Sequence, residues 1–332
     1  MSTFAKQSEV EVLLATYNGD QFVREQIDSI LAQDYRSVRI LASDDGSQDT
    51  TREILAEYGN RFLDRFHLLE NKLSTRSAKL NFLRLMRAAT GTYLCFADQD
   101  DVWLPNKVSR CMEEMQKLEV RHGSSLPLLV FSDLRVVDQQ LKTMYPSMWK
   151  QMNIDPESIH RLERLIGRSV VTGCTALINR PLLELARSMP PEAPMHDRWI
   201  GMLAATMGAA AIVADQTVLY RQHESNVVGA TEPDNSVPGI VSRASRPDGR
   251  RAERARSEAQ VEALLRVHGG DMPRANANLL RAYLRSVRSP NPLERIATTL
   301  RYGFFRGGFL KNLLTLLDLA LSASDKTSGN PG

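Results

Sequence analysis

The feature that most constrains this chain is an alternation in its first half. Short apolar runs are each followed by a helical pattern, and several of them end on polar or acidic residues. Residues 10–15 (VEVLLA), 38–42 (VRILA), 66–69, 92–97 (TYLCFA) and 128–137 read as buried strands. Between them, Val23, Ile27, Ile30 and Leu31 share a helical face within 20–32. Asp49 opens a helix over 49–58, and Leu80, Leu83 and Met86 mark one over about 77–89. Pro105 opens a fourth helix, whose inner face is Val108, Cys111, Met112, Met115 and Leu118. This order predicts an α/β fold with a mainly parallel central sheet covered on both faces.

In such sheets ligands bind beyond the carboxyl ends of the strands. The first strand runs into Thr16, Tyr17 and Asn18, the second into Asp44 and Asp45, and the fourth into Asp98, Asp100 and Asp101. Three strand ends therefore predict one acidic crevice. Further along, the sequence predicts a helix near 158–166, a VTGCTALIN stretch at 171–179, a helix from Pro181, and strand, turn, strand over 209–220. Residues 231–257, rich in Pro, Asp, Ser and Arg, read as a linker, and 258–332 as a helical region.

Composition removes several classes. The 332 residues carry 42 Lys+Arg against 39 Asp+Glu, a formal +3, too little to argue for nucleic acid. Three cysteines, Cys95, Cys111 and Cys174, have no metal spacing and do not suggest a disulfide framework, so reduced thiols in a cytoplasmic protein are expected. No apolar leader opens the sequence and no uninterrupted apolar run of membrane-spanning length appears. GxxxxGK[ST], GxGxxG after the first strand, and GxSxG are all absent.

The acidic strand ends suggest a chemistry. Carboxylates one residue apart in Asp98-Gln99-Asp100-Asp101 can share a hard cation such as Mg²⁺ or Mn²⁺, which is usually held by one or two carboxylates plus substrate phosphates. The plain alternative is an acidic turn before a helix. Asp45 can accept a hydrogen bond from the ring N–H of a pyrimidine base, or Asp45-Gly46-Ser47 can simply be a turn. Asp197 in PMHDRW is either a helix N-cap or a general base facing a cleft. In YRQH (220–223), His223 can complete a cation's coordination and Arg221 can pair with a phosphate.

The ordered series ATYNG (15–19), SDDGSQDT (43–50), FADQDDVWLPNK (96–107), VTGCT (171–175), MHDRW (195–199) and YRQHESN (220–226) resembles the family 2 glycosyltransferases. Within them it resembles the bacterial rhamnosyltransferase-like branch that builds surface polysaccharides. The resemblance covers about residues 9–230. It implies a GT-A fold over 1–230, with the helical region as a C-terminal extension. It further implies Thr16, Tyr17 and Asn18 at the nucleoside, Asp45 on the base with Asp44 supporting its loop, and Asn81 facing the donor. Asp98 and Asp100 would be the DxD pair on ribose and cation, with Asp101 as an alternative member. His223 would bind the metal, Asp197 would be the base of an inverting transfer, and Gly173 and Cys174 would lie near donor sugar and acceptor. The implied reaction takes a sugar, rhamnose from dTDP-rhamnose as the leading candidate, to a hydroxyl of a glycan or lipid-linked acceptor. A nucleotidyltransferase and a non-catalytic sugar-nucleotide-binding module are the competing readings. The apolar, basic stretch at 301–321 fits either a helix at the inner face of the plasma membrane or one packed on protein.

Overall fold

The computed structural model describes residues 8–71, 74–223 and 247–305, together with positions 312 and 316. Among them, those before 224 other than 161–168 form one compact unit, and 161–168 with those from 247 onward form a second.

In the first unit β1 (Val10–Thr16) is buried along its whole length. It is flanked in parallel by β2 (Val38–Asp44) and β4 (Tyr93–Asp98), and β3 (Phe66–Leu68) extends β2 in parallel. This half of the sheet has the predicted β-α-β order. Its connections are α1 (Val23–Leu31), α2 (Thr51–Arg61) and α3 (Ala78–Ala88). After β4 come β5 (Val102–Trp103), α4 (Lys107–His122), β6 (Leu128–Val137), β7 (Thr143–Tyr145) and α5 (Met148–Met152). Then follow α6 (Leu162–Leu165), which belongs to the second unit, β8 (Leu177–Asn179), α7 (Arg180–Ala186), α8 (His196–Met207) and β9 (Ala209–Arg221). The sheet order is β3-β2-β1-β4-β8-β6-β9-β5, with β7 on β6. Beyond β4 the sheet is mixed, since β8 runs antiparallel to both neighbours while β6 and β9 are parallel.

Apolar periodicity explains the layers. The predicted inner face of α4 is buried at Val108, Cys111, Met112, Met115 and Leu118. Helix α3 buries Leu83 and Met86, while Leu80 is exposed. Its start is fixed by Ser77, whose side chain accepts the Leu80 N–H.

The expected strand, turn, strand over 209–220 is instead one strand. Ser132 pairs with Val213 but Asp133 with Gln216, so Ala214 and Asp215 bulge out and the chain continues in the same direction. Asp133 anchors the resumed ladder by accepting from Gln216 Nε2 at 2.9 Å. The polar residues that suggested a turn lie in that bulge.

The second unit holds α9 (Pro247–His268), α10 (Arg274–Arg288) and α11 (Pro292–Tyr302). Helix α9 begins inside the stretch read as linker; a proline opens it, and the Arg, Glu and Ala that follow are strong helix formers. The rest of that stretch, 231–246, lies outside the described residues, as do the boundary near 230 and most of 301–321. Val261, Leu264, Ala277, Leu280 and Tyr283 form the buried core of these helices. Arg288 bridges Glu258 and Glu262 across α9 and α10. Among the described residues no helix is long and apolar enough to cross a membrane.

Candidate active site

Strand register assembles the crevice. Thr16 is level with Asp44, and Ala15 with both Ser43 and Asp98, so three parallel strands deliver their polar ends to one edge. Thr16 Oγ1 donates to Asp44 Oδ1 at 3.0 Å. Asp44 Oδ2 accepts the N–H groups of Gly46 and Ser47 at 3.0 and 2.9 Å, folding SDDGS into a tight turn. Gly46 has φ +86, a conformation that favours glycine, and an added Cβ would meet Ser74 Cβ at 2.6 Å. Asp44 thus supports its loop, as the family resemblance implies.

Asp45 behaves differently from the sequence expectation. Its Oδ1 accepts Thr75 N–H at 2.8 Å, and its Oδ2 accepts Thr75 Oγ1 and Ser77 N–H, both at 2.9 Å. Burial acts to raise this carboxyl, but these donors and Arg84 hold it below the ordinary value. Both oxygens are therefore engaged by the segment before α3. Asn81 is likewise not a donor-facing group here. It is 2% exposed, and its Nδ2 donates to Ser43 O at 2.8 Å and Thr16 O at 3.4 Å, tying β1 to β2 from behind.

Tyr17 and Asn18 are exposed at the mouth. Asn18 adopts φ 48, and its N–H donates to Ser47 Oγ at 2.8 Å. Tyr17 meets a residue that sequence reasoning passed over. Its N–H donates to Gln99 Oε1 at 2.7 Å, and Gln99 Nε2 donates back to Tyr17 O at 2.9 Å. The middle residue of the DxD thus clasps the first loop to the acidic one. Gly19 allows it, because a Cβ there would lie 2.3 Å from the Gln99 amide. The only signal available was an amide-bearing residue between two acids, which by itself names no partner.

The DQDD side is built by β5 pairing with the end of β9, Val102 opposite Leu219. This brings Asp100 to His223, Oδ2 to Nε2 2.8 Å, with the imidazole packed 5.0 Å from the Phe22 ring. Arg221 is 2% exposed and is not presented to a phosphate. Its Nε donates to Asp100 O at 2.8 Å, Nη1 to Gln139 O, and Nη2 to Glu25, with the guanidinium 4.5 Å over Phe22. It is a strut that fixes the DQDD loop, and the sequence could not reveal Glu25 as its distant partner.

Asp98 is pushed up to about 7 by burial and by the negative charges of Asp100 and Asp197. These three carboxylates, two from the DQDD loop and one from α8, therefore share one electrostatic neighbourhood. Asp101 is fully buried and accepts Arg221 N–H through Oδ1 at 3.2 Å. It forms a group with Asp98 and Cys174 whose ligand atoms all lie within 4.8 Å of one another. Cys174 is 1% exposed, so it lies beneath the crevice wall. Crowded oxygens beside an imidazole suit a hard divalent cation; Asp98, Asp100 and His223 fit that role.

Asp197 sits in the first turn of α8, and the helix cap is Met195, which excludes the N-cap alternative. Burial raises its carboxyl to about 6, opposed by the backbone N–H groups of Arg198, 2.6 Å from Oδ1, and of Gly173. The helix N-terminus also favours the ionised form. Gly173 lies so close that a Cβ would be 2.5 Å from His196 Nε2 and 3.7 Å from Asp197 Cβ. His196 itself is buried against Phe82 and Phe96, with ring centroids 4.0 and 5.0 Å away.

This combination of a mixed sheet, acidic strand ends and a carboxylate at a facing helix is that of a GT-A glycosyltransferase. Residues 11–185 match the family model described as Glycosyl transferase family 2, and the chain belongs to that family. It is 28% identical over 228 residues to "dTDP-rhamnosyl transferase RfbG" of Shigella flexneri, covering 65% of this chain and 74% of that protein. It is also 28% identical over 175 residues to "Uncharacterized glycosyltransferase RP339" of Rickettsia prowazekii, 51% of this chain and 49% of that one. Similar solved structures include S. aureus TarS 1-349 in complex with UDP-GlcNAc, with TM-score 0.54, 15% identity, and 89% of this chain and 80% of that chain covered. The mannosyltransferase PcManGT from Pyrobaculum calidifontis in complex with GDP-Man and Mn2+ aligns with TM-score 0.52, 17% identity, and 95% and 80% covered. At these identities the structures establish the fold.

Proposed function

We propose that this glycosyltransferase moves rhamnose from dTDP-rhamnose, with inversion, to a hydroxyl of a glycan or lipid-linked acceptor in surface polysaccharide synthesis. The observation that carries the inverting reaction is the convergence of Asp98, Asp100 and Asp197 on one crevice edge. Similarity to RfbG supports the sugar, over most of that protein's length. Residues up to about 230 act as the catalytic domain, and the helices after the linker act as an extension.

Thr16, Tyr17, Asn18 and the Asp44 turn form the nucleoside end. Asp98, Asp100 and His223 hold a divalent cation, Mg²⁺ or Mn²⁺, and PcManGT with GDP-Man and Mn2+ supports that assignment. When bound, the cation neutralises charge on the diphosphate leaving group. Asp197 takes the proton of the acceptor hydroxyl. The acceptor oxygen forms a bond to the anomeric carbon, and the bond to the diphosphate breaks with its electron pair leaving on the diphosphate oxygen. No covalent enzyme intermediate is needed. Charge stabilisation and positioning supply most of the acceleration, through an oxocarbenium-like transition state.

The transferase works at the cytoplasmic face of the membrane through its C-terminal helices. Leu293 and Leu300, 75% and 55% exposed on α11 beside Arg301, support that contact, and three free, buried cysteines fit a reducing compartment. Donor turnover with dTDP-rhamnose, UDP-sugars and GDP-mannose tests the donor. Preference for dTDP-rhamnose is expected, and clear preference for another donor refutes the sugar assignment. Flotation with anionic vesicles tests the membrane contact, which is refuted if Leu293→Asp/Leu300→Asp floats as well as the unaltered chain.

A further inference from the structure

One group beneath the crevice is not used by the transfer chemistry. Asp101 Oδ1 accepts the Arg221 N–H, while no nitrogen or hydroxyl donor meets its buried Oδ2, and only the Cys174 thiol, a weak donor, stands against the carboxylate. Asp101 is 0% exposed, so water does not compensate that oxygen. Beside it stands the Cys174 thiol, 1% exposed, and on the crevice side the Asp98 carboxylate, with all ligand atoms within 4.8 Å of one another.

Three negative or ionisable donors, one of them sulfur, are a poor set for Mg²⁺ and a good one for Zn²⁺. Thiolate ligands select thiophilic ions, and Zn²⁺ accepts sulfur at about 2.3 Å and carboxylate oxygen at about 2.0–2.2 Å. Ligand atoms bound at those lengths stand about 3.3–3.8 Å apart, so the group, now within 4.8 Å, closes by up to about 1 Å on binding. Three protein ligands also leave a fourth position open, as in zinc sites that keep an exchangeable ligand.

We propose that Asp98, Asp101 and Cys174 form a thiophilic metal site, distinct from the Asp100–His223 pair, through which Zn²⁺ or Cd²⁺ inhibits the enzyme. Binding forms one metal–sulfur bond, and the thiol proton leaves to solvent. Inhibition follows because Asp98 belongs to both sites, so an ion held with Cys174 withdraws it from the donor side. That consequence rests on the proposed transferase reaction; the binding itself does not.

The test is a Cd²⁺ titration of the full chain, followed by the sulfur-to-cadmium charge-transfer absorption. One equivalent with a thiolate band is expected, displaced by added Zn²⁺. The band is lost in Cys174→Ser and Cys174→Ala, kept in Cys95→Ser and Cys111→Ser, and weakened at least about tenfold in affinity by Asp101→Asn. Asp100→Ala keeps it, because Asp100 is not a ligand of this site. No band, a band that survives both Cys174 variants, or one lost with Asp100→Ala overturns the proposal. In the activity arm, Zn²⁺ at fixed Mn²⁺ slows donor turnover, and the fractional slowing, taken against each variant's own rate, shrinks in Cys174→Ser. A chain that binds Cd²⁺ through Cys174 but turns over no sugar nucleotide upholds the metal site and refutes the transferase reaction. A chain that turns over donor but gives no thiolate band does the reverse.

Discussion

The two ends of the crevice use the same residue type in opposite ways. At the Thr16–Asp45 end, Asp44 and Asp45 are engaged by backbone and hydroxyl donors, and Asp45 is held below its ordinary pKa. At the DQDD end, Asp101 is buried and Asp98 half-buried among other carboxylates, and both are raised above their ordinary pKa. The first arrangement has its compensation built in, so the loop keeps its shape without ligand. The second is short of positive charge, and so is suited to gaining it from an ion. Aspartates that look alike in sequence therefore divide into architecture and binding chemistry.

The largest effect expected is at Asp197, the proposed base. Asp197→Asn removes the base and lowers the transfer rate by roughly 10²–10⁴-fold while donor binding persists. Rapid-mix turnover and donor titration measure the two separately, and near-normal turnover would remove Asp197 from its role. A smaller loss is expected at the Thr16–Asp45 end. Asp45→Ala strands the Thr75 and Ser77 N–H groups and destabilises the protein by about 1–3 kcal/mol in denaturant unfolding. At the crowded end Asp98→Asn relieves repulsion, so the same measurement without metal shows little loss or a gain. Equal losses at both positions would erase the contrast between them.

The pH dependence comes next. With Asp197 raised to about 6, its active ionised form is depleted as pH falls through 6, so kcat/KM drops on the acid side of that value. Gly173→Ala forces the 173 loop off His196 and withdraws an N–H from Asp197, which moves that acid limb to higher pH. An unmoved limb would mean that the loop does not set the base. The smallest effect is assigned to the clasp between the ends. Gln99→Ala removes two exposed hydrogen bonds and raises the donor KM by a factor equivalent to about 1 kcal/mol, with kcat less affected.

Most of the scaffold was legible because it depends on local periodicity. The parallel strands, their helices and the inner face of α4 follow from apolar spacing, and the polar ends of β1, β2 and β4 do share one edge, as the strand-end rule expects. The antiparallel run of β8 was not legible, since a strand of three residues, Leu177, Ile178 and Asn179, carries no direction. The bulge at Ala214–Asp215 hid behind turn-forming residues. In the site, the sequence found which acids gather but not what each one holds. Asp45, Asn81 and Arg221 have the polarity of ligand-binding groups, and only their partners Thr75, Ser43 and Glu25 reveal structural duty. Gln99 was invisible for the converse reason, as its importance lies wholly in the neighbour it meets.

The bulge in β9 has a reach beyond its own position. Side chains alternate across a strand, so each residue inserted or removed upstream reverses which way everything downstream points. Looping out two residues, Ala214 and Asp215, preserves that alternation, and a further one-residue shift between the Asp133–Gln216 and Arg135–Leu219 pairs reverses it, so these two irregularities together set the parity with which β9 arrives beside Val102 and the side on which His223 emerges toward Asp100. Excising a single residue there would rotate the histidine out of step with its carboxylate while every crevice side chain kept its chemical identity. The alignment of the DQDD end is therefore governed by a spacer located well outside it.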